Sequence, residues 1–538
     1  MNTYSGTGAA GFIGRSLGAL RALATLVRAG VVRPMAPGRL LGVVDAYLRW
    51  DITVAFGFAT GAARHPDRPA IVDDAGTLTY AEVEERTTRL AHGLHDLGVR
   101  AGSKVAVLCR NHRGFVETTA ACVKLGAHTV LLNTGLSAAQ IAVVLREQDV
   151  SVVVADTEFR DLLTNAPRKV RRVMAWVEGA TKSKTLEQLI AGSPATPLPK
   201  RPPRGRMIVL TSGTTGAPKG ARRPEPASLT PAAAVLSRIP LKAGDRFAVP
   251  APLFHTWGLA AFQLGLVLGA TFVLRRKFDP ALLLADARRH GCDALFVVPV
   301  MLQRVLELTG RPHLPKLRVI ASSGSALPPP VARRCLEDFG PVLYNLYGST
   351  EVSWVSIARP DELARHPDTA GLPPHGTRLE VLDEEGNRVP AGTTGRIFVA
   401  NDMLFDGYTS GAGKEVRDGL MSTGDVGYRN GEGLLFVAGR DDEMIVSGGE
   451  NVYPREVEDL LSGLAGVREV AVVGVPDEQF GQRLAAYVVR EEPGVLDEDA
   501  VREHVRGNLA RFSVPREVVF LDSLPRNATG KVLKRELG

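Results

Sequence analysis

The sequence predicts a large N-terminal α/β domain followed by a small C-terminal α+β domain. From about Arg64, strand-like segments alternate with segments whose apolar residues recur every three or four positions, the pattern of βαβ units with largely parallel sheets. The length of 538 residues exceeds what one compact core accommodates. A change of texture at Gly439-Arg440-Asp441-Asp442 leaves a final unit of about 100 residues, enough for a domain of its own.

The elements follow in order. Thr79-Tyr80-Ala81-Glu82 is a capping box, the Thr hydroxyl accepting from a backbone N–H ahead and the Glu reaching back. Val83, Leu90, Leu94 and Leu97 then recur at helical spacing. Residues 104–108 read as a strand, 114–125 as a helix, 129–132 as a strand, then a helix capped by Ser137 to residue 148 and a strand over 150–155. Met207-Ile208-Val209-Leu210 is a short buried strand, reached through a Pro-rich surface connection over 194–203. Gly386-Asn387, Gly392 and Asn430-Gly431 predict short hairpins. Beyond residue 442, Pro454 opens a helix to Leu461, and strands 469–475 and 484–489, a helix over 497–510 and a strand over 517–521 complete the small domain.

Composition narrows the class. A hydrophobic fraction of 45% and a charged fraction of 23% describe a globular protein. The net charge of +7 suits an anionic ligand or surface, and there is no compact basic motif for nucleic acid and no zinc-ligand spacing. Cys109, Cys122, Cys292 and Cys335 are scattered and form no C-x-x-C, as expected of structural thiols in a reducing cytoplasm. Residues 256–274 carry no charge, yet Gly258, Gly265, Gly269 and Gln263 interrupt them, so a buried helix followed by a strand is expected rather than a membrane span. Residues 11–29 are apolar with Arg15, Arg21 and Arg28 and no acid. That segment is too charged to span. Two readings stand: peripheral contact with an anionic membrane surface, on the inner face, or a helix packed on its own protein. Gly6-Thr7-Gly8-Ala9-Ala10-Gly11 satisfies G-x-G-x-x-G, but no strand precedes it and no acid follows at the dinucleotide spacing.

The chemistry concentrates at Thr211-Ser212-Gly213-Thr214-Thr215-Gly216-Ala217-Pro218-Lys219-Gly220. Glycines let backbone N–H groups approach an anion, and hydroxyls and a lysine add donors, which together make a polyphosphate cradle. The P-loop pattern G-x-x-x-x-G-K-[ST] is not met, because Pro218 precedes Lys219. Downstream lie Tyr344-Asn345-Leu346-Tyr347-Gly348-Ser349-Thr350-Glu351, Ser422-Thr423-Gly424-Asp425, Gly439-Arg440-Asp441-Asp442, Gly448-Gly449-Glu450-Asn451-Val452-Tyr453-Pro454 and Pro525-Arg526-Asn527-Ala528-Thr529-Gly530-Lys531.

Six motifs in this order and spacing resemble the adenylate-forming superfamily of acyl-CoA synthetases, peptide-synthetase adenylation domains and luciferases. The resemblance runs from about Asp67 to the C-terminus and leaves residues 1–60 outside it. It implies parallel sheets with flanking helices plus a small β-barrel-like part over 61–438, a hinge at 439–442, and a mobile small domain over 443–538. It also implies ATP, Mg2+ and CoA as cofactor and cosubstrates. By the same resemblance Thr211, Ser212, Gly213, Thr214, Thr215, Gly216 and Lys219 hold the β- and γ-phosphates, while Thr350 reaches the α-phosphate. Glu351 is the implied Mg2+ ligand, a carboxylate suiting a hard cation. Tyr347, with Gly348 and Ser349 beside it, offers a face to adenine, near Asn345 and the Ser323-Gly324-Ser325 backbone. Asp425 accepts the ribose hydroxyls, with Arg440 as its partner. Lys531 is the implied catalytic lysine, a mobile point charge bridging carboxylate and α-phosphate. Asp442 falls at the hinge and Gly448-Gly449 where the pantetheine arm passes.

For the acid, Phe254-His255-Thr256-Trp257-Gly258 borders the implied acyl pocket. Amino-acid-activating relatives place an Asp after the aromatic, and His255-Thr256 stands here instead, which argues against an α-amino acid. The apolar run beyond Gly258, with Val298, Pro299 and Met301, suits a hydrophobic tail. His255 is either a gate or a satisfied structural histidine. The leading expectation is a cytoplasmic AMP-forming fatty acyl-CoA ligase (a long-chain fatty-acid–CoA ligase). The alternatives are a fatty acyl-AMP ligase loading a separate acyl carrier protein and a membrane-associated fatty-acid uptake protein.

Overall fold

The computed structural model describes residues 9–537 apart from 200, 212–218, 225, 410, 448–449, 478–480, 493, 495 and 528–529. Two sheets form the frame of the large domain. The eight-stranded sheet runs, from one edge, through Ser356–Ala358, Leu343–Tyr347, Val319–Ser322, Ala294–Val297, Arg246–Ala248, Thr271–Val273, Pro69–Asp73 and Gly76–Thr79. It is parallel except at its two edge pairs. The seven-stranded sheet, with Lys104–Leu108 and Val152–Ala155 at its centre, is parallel except where Met207–Thr211 meets Lys219–Arg222. Parallel sheets demand cover on both faces. The largest core supplies it, gathering Ile71, Phe247 and Phe296 from one sheet and Val105, Val107 and Val209 from the other. The helices Val54–Arg64, Tyr80–Asp96, Arg113–Leu125 and Thr256–Leu268 contribute to that core.

Most of the local expectations hold. The Thr79/Glu82 capping box is formed, and Val83, Leu90 and Leu94 are fully buried. Ser137 caps Ala138–Glu147. The uncharged run is the helix Thr256–Leu268 and the strand Thr271–Val273, with Gly269 as a left-handed cap between them. No described helix is long and apolar enough to cross a membrane. Of the G-x-G-x-x-G at 6–11, residues 6–8 lie outside the described residues and the rest begin the helix Ala9–Arg28.

Residues before the family-like region pack tightly against it. The expected border at residue 60 falls inside Val54–Arg64, whose Ala55 and Phe58 are fully buried. Gly57 and Gly61 permit this approach. A Cβ at Gly57 would meet Leu266 at 2.7 Å, and one at Gly61 the Tyr80 ring at 2.1 Å. Ahead of it, the helices Ala9–Arg28 and Pro37–Trp50 anchor through Leu26 and Trp50, with Ala29 just past the first helix.

A five-stranded antiparallel sheet follows, in which Leu420–Arg429 sits between Gly395–Ala400 and Leu435–Arg440. The C-terminal domain is a second five-stranded sheet with its own core of Val457, Val472, Val488, Val501 and Val505. Pro454–Leu461 and Glu517–Leu521 match the expected helix and strand residue for residue.

Candidate active site

A cavity of about 1420 Å³ runs from the cleft between the two domains into the core of the large one. Strand ends and loops deliver its polar end. Leu343–Tyr347 lies in the eight-stranded sheet, and Gly348 turns the chain at its end: a Cβ there would meet the Ser353 carbonyl at 2.1 Å. The turn brings Ser349, Thr350 and Glu351 to the cavity wall, beside Asn345, Tyr347 and Ser323-Gly324-Ser325.

Each of these groups is held. The Glu351 carboxylate accepts from Tyr408 Oη at 2.6 Å and from Ser349 Oγ at 2.9 Å, and its carbonyl accepts from Phe405 N at 2.8 Å. The Thr350 and Thr256 hydroxyls are 2.8 Å apart, linking the turn to the start of Thr256–Leu268. The Tyr347 hydroxyl donates to Asp425. Burial, and then the Asp425 charge, push that hydroxyl far above its ordinary range, so it stays a donor. Burial also holds the Asp425 carboxyl above the usual carboxylate range, with Tyr347 and Arg440 acting against it. Asp425 and Arg440 face each other in the ladder, with Arg440 Nη1 3.5 Å from Asp425 Oδ1. Arg440 Nε also donates to Asp442 at 2.9 Å, tying this pair to the expected hinge.

Lys531 reaches this cavity from the small domain. Its turn is closed by Lys531 N donating to Asn527 Oδ1 at 3.0 Å, Asn527 N to the Lys531 carbonyl at 3.0 Å and Arg526 Nη1 to the Gly530 carbonyl at 2.6 Å. Gly530 has φ +82°, a left-handed conformation that suits glycine, and a Cβ there would lie 2.6 Å from Val300 of the large domain. Gln303 Nε2 donating to the Arg468 carbonyl (3.0 Å) and the Arg468–Glu307 ion pair (2.9 Å) add contacts across the cleft. His255 records the same arrangement: burial, and then the Lys531 charge, push its imidazole down to about 4.

The apolar end is made by helix faces. In Thr256–Leu268 the half-buried residues Thr256, Ala260, Gln263 and Val267 form one stripe, and all four line the cavity. At 1.5 Å per residue the stripe is ~16 Å long. Trp257 lines it too, its Nε1 fixed on the Val297 carbonyl at 3.0 Å. Three expected pocket residues sit elsewhere. Gly258 is a packing glycine, since a Cβ there would meet the Pro252 carbonyl at 2.3 Å. Val298 is buried against Gly324, and Met301 packs between two apolar cores. Pro299, also expected there, does line the cavity, together with its neighbour Val300.

The sequence reading missed Tyr408, Thr256 as the partner of Thr350, and Lys414, whose Nζ lies 3.4 Å from the Thr423 carbonyl beside Asp425. It also missed the wall formed by residues before position 58. A lone Tyr or Lys in a Gly-rich loop carries no sequence signal of its own. Ser212 to Pro218, and with them Gly213, Thr214, Thr215 and Gly216, lie outside the described residues, as do Gly448 and Gly449. The flanks of the first segment pair as a hairpin, Thr211 opposite Lys219.

Among the described residues, one buried group has metal-ligand proximity: Cys109, His112 and Asp156. Its donors are spent internally. His112 Nδ1 accepts from Gly114 N (3.0 Å), its Nε2 pairs with Asp156 (2.8 Å), and Asp156 accepts from Arg110 N (2.9 Å).

Comparison with known proteins agrees with this geometry. Residues 58–409 match the AMP-binding enzyme family and residues 456–531 the AMP-binding enzyme C-terminal domain. Feruloyl-CoA synthase of Amycolatopsis sp is 33% identical, over 88% of this chain and 96% of its own. Indoleacetate–CoA ligase of Aromatoleum aromaticum is 34% identical over the same shares, 88% and 96%. Among solved structures, o-succinylbenzoate CoA synthetase (MenE) from Bacillus subtilis, in complex with its acyl-adenylate intermediate, aligns with a TM-score of 0.78 at 27% identity. That alignment covers 89% of this chain and 97% of the other. The chain belongs to the AMP-binding enzyme family, within the adenylate-forming superfamily.

Proposed function

We propose that this AMP-forming CoA ligase activates an elongated apolar carboxylic acid, a fatty acid, with ATP and transfers the acyl group to CoA. The observation that carries the substrate class is the ~16 Å stripe from Thr256 to Val267, which continues inward from the polar end of the cavity. A single aromatic ring fills only its near part.

The proposed chemistry follows from charge. A carboxylate oxygen attacks the α-phosphorus of ATP, and the bond to the leaving pyrophosphate breaks. Two anions must therefore approach, and preorganised positive charge lowers that barrier. In this reading Lys531 bridges carboxylate and α-phosphate, and Thr350, oriented by Thr256, donates to the α-phosphate. Asp425, oriented by Tyr347, accepts from the ribose hydroxyls. Glu351 fits a divalent cation: its oxygens are preoriented by two hydroxyl donors, and it faces the cavity. Mg2+ held there would neutralise phosphate charge. His255, neutral at pH 7, borders the acid without adding a competing cation. In the second step the sulfur of CoA, as thiolate, attacks the acyl carbonyl carbon and the bond to the phosphate oxygen breaks, releasing AMP, with Lys531 withdrawn by rotation at Asp442.

A second reading rests on the relatives, which include a feruloyl-CoA synthase and an indoleacetate–CoA ligase. It makes the acid aromatic. Pyrophosphate release measured across fatty acids of graded length and across aromatic acids, with and without CoA, separates the two. The fatty-acid reading expects kcat/KM to rise with chain length and a thioester to form with free CoA. A peak on an arylpropenoic acid replaces it with the aromatic reading. Adenylate without thioester points to a carrier protein as acceptor.

A further inference from the structure

Among the described residues, ten of the fourteen exposed large apolar side chains lie between Leu17 and Leu48. On Ala9–Arg28 they include Leu17, Leu20, Leu23 and Val27, and on Pro37–Trp50 Leu40, Leu41, Val44, Tyr47 and Leu48. Leu20 is 62% exposed and Leu41 70%. So much apolar surface gathered on two helices consecutive in the chain is unusual for a free surface and marks a contact. The charge around it is one-sided. Residues 1–50 hold six arginines and a single acid, Asp45, and that acid is paired with Arg49 at 2.6 Å. Arg21, Arg28 and Arg39 are exposed on the same two helices. An apolar face bordered by arginine and nearly free of acid complements an anionic lipid surface.

The same segment also faces inward. Val31, Met35 and Val43 line the cavity. Val32 and Leu40 line it as well, and both are exposed, at 42% and 50%. The far end of the cavity therefore opens onto the apolar outer face.

We propose that the helices Ala9–Arg28 and Pro37–Trp50 seat this protein on an anionic bilayer, and that the apolar acid passes from the lipid into the cavity beside Val32 and Leu40. The docking stands on the surface alone. The passage of the acid rests on the fatty-acid reading above.

The test uses the full chain and the double variant Leu20→Glu/Leu41→Glu, two residues that lie outside the cavity and, being exposed, leave the fold intact by circular dichroism. Wild type should float with phosphatidylcholine vesicles containing phosphatidylglycerol and far less with phosphatidylcholine alone. The variant should lose binding by about fivefold or more. Its turnover of hexadecanoate presented in those vesicles should fall by a similar factor, while turnover of a short soluble acid stays unchanged. Wild type that ignores anionic vesicles overturns the docking. So does a wild-type dimer in sedimentation that the variant dissociates, because a second copy then covers the face. Equal losses on both acids overturn the passage from lipid. Vesicle binding with no turnover of either acid leaves the docking standing and removes the fatty-acid reading.

Discussion

The two ends of the cavity are built by different rules. At the polar end, each group has a fixed place and a partner close by in space: Glu351 on its turn by Ser349 and Tyr408, Asp425 on its strand by Tyr347, and Lys531 on a turn closed by Asn527 and Arg526. At the apolar end no single residue is decisive. The wall is a set of helix faces drawn from residues far apart in sequence, such as Val43, Phe56, Ala260 and Val267. A reaction centre needs fixed charges at fixed places, whereas an acyl site needs only area and volume. Substitutions at the first should act on one step, and at the second on one class of substrate.

The largest expected effect tests the polar end. Lys531→Ala should lower acyl-adenylate formation by about 10²–10³-fold or more, while thioester formation from supplied adenylate is largely spared. Single-turnover assays of the two half-reactions separate these, and equal losses would deny Lys531 its step-specific role. Next, Tyr347→Phe removes a donor to a buried carboxylate, a bond of about 1.5–3 kcal/mol. We expect the KM for ATP to rise about tenfold or more in pyrophosphate exchange, with the affinity for the acid unchanged. At the apolar end, Ala260→Phe places a ring on the cavity stripe. Long acids should lose about tenfold or more in kcat/KM and short ones little. A uniform loss across acids would erase the distinction between the two ends.

The smallest effect concerns pH. The His255 imidazole titrates near 4 in the folded protein against 6.5 unfolded. The unfolded chain binds the extra proton between those values, so this group's contribution to stability is full above about 6.5 and is lost as pH falls toward 4. In His255→Asn the denaturant midpoint should vary less steeply across that window. An unchanged slope would show that the histidine stays hydrated.

Legibility in the sequence followed the same division. Capping boxes, periodicity and the proline that opens 454–461 identified elements to within a few residues, because those signals are local. The groups at 345–351, 425, 440 and 531 stood out because fixed charges sit in short, spaced motifs. Tyr408 and Thr256 did not, since their partners, Glu351 and Thr350, come from distant elements. Of Val298, Pro299 and Met301, all expected in the pocket wall, the turn into Pro299–Glu307 presents only Pro299, together with Val300.

The sequence by itself determined the α/β alternation, the family motifs and the apolar, arginine-bearing character of residues 11–29. Each is written in neighbours along the chain. Only the tertiary structure decided that Lys531 and His255 line one cavity, that Tyr347 holds Asp425, and that the segment before residue 58 walls the cavity. The physical reason is packing. Gly57 and Gly61 let one helix close on Leu266 and Tyr80, and that approach turns an apolar extension into part of the site.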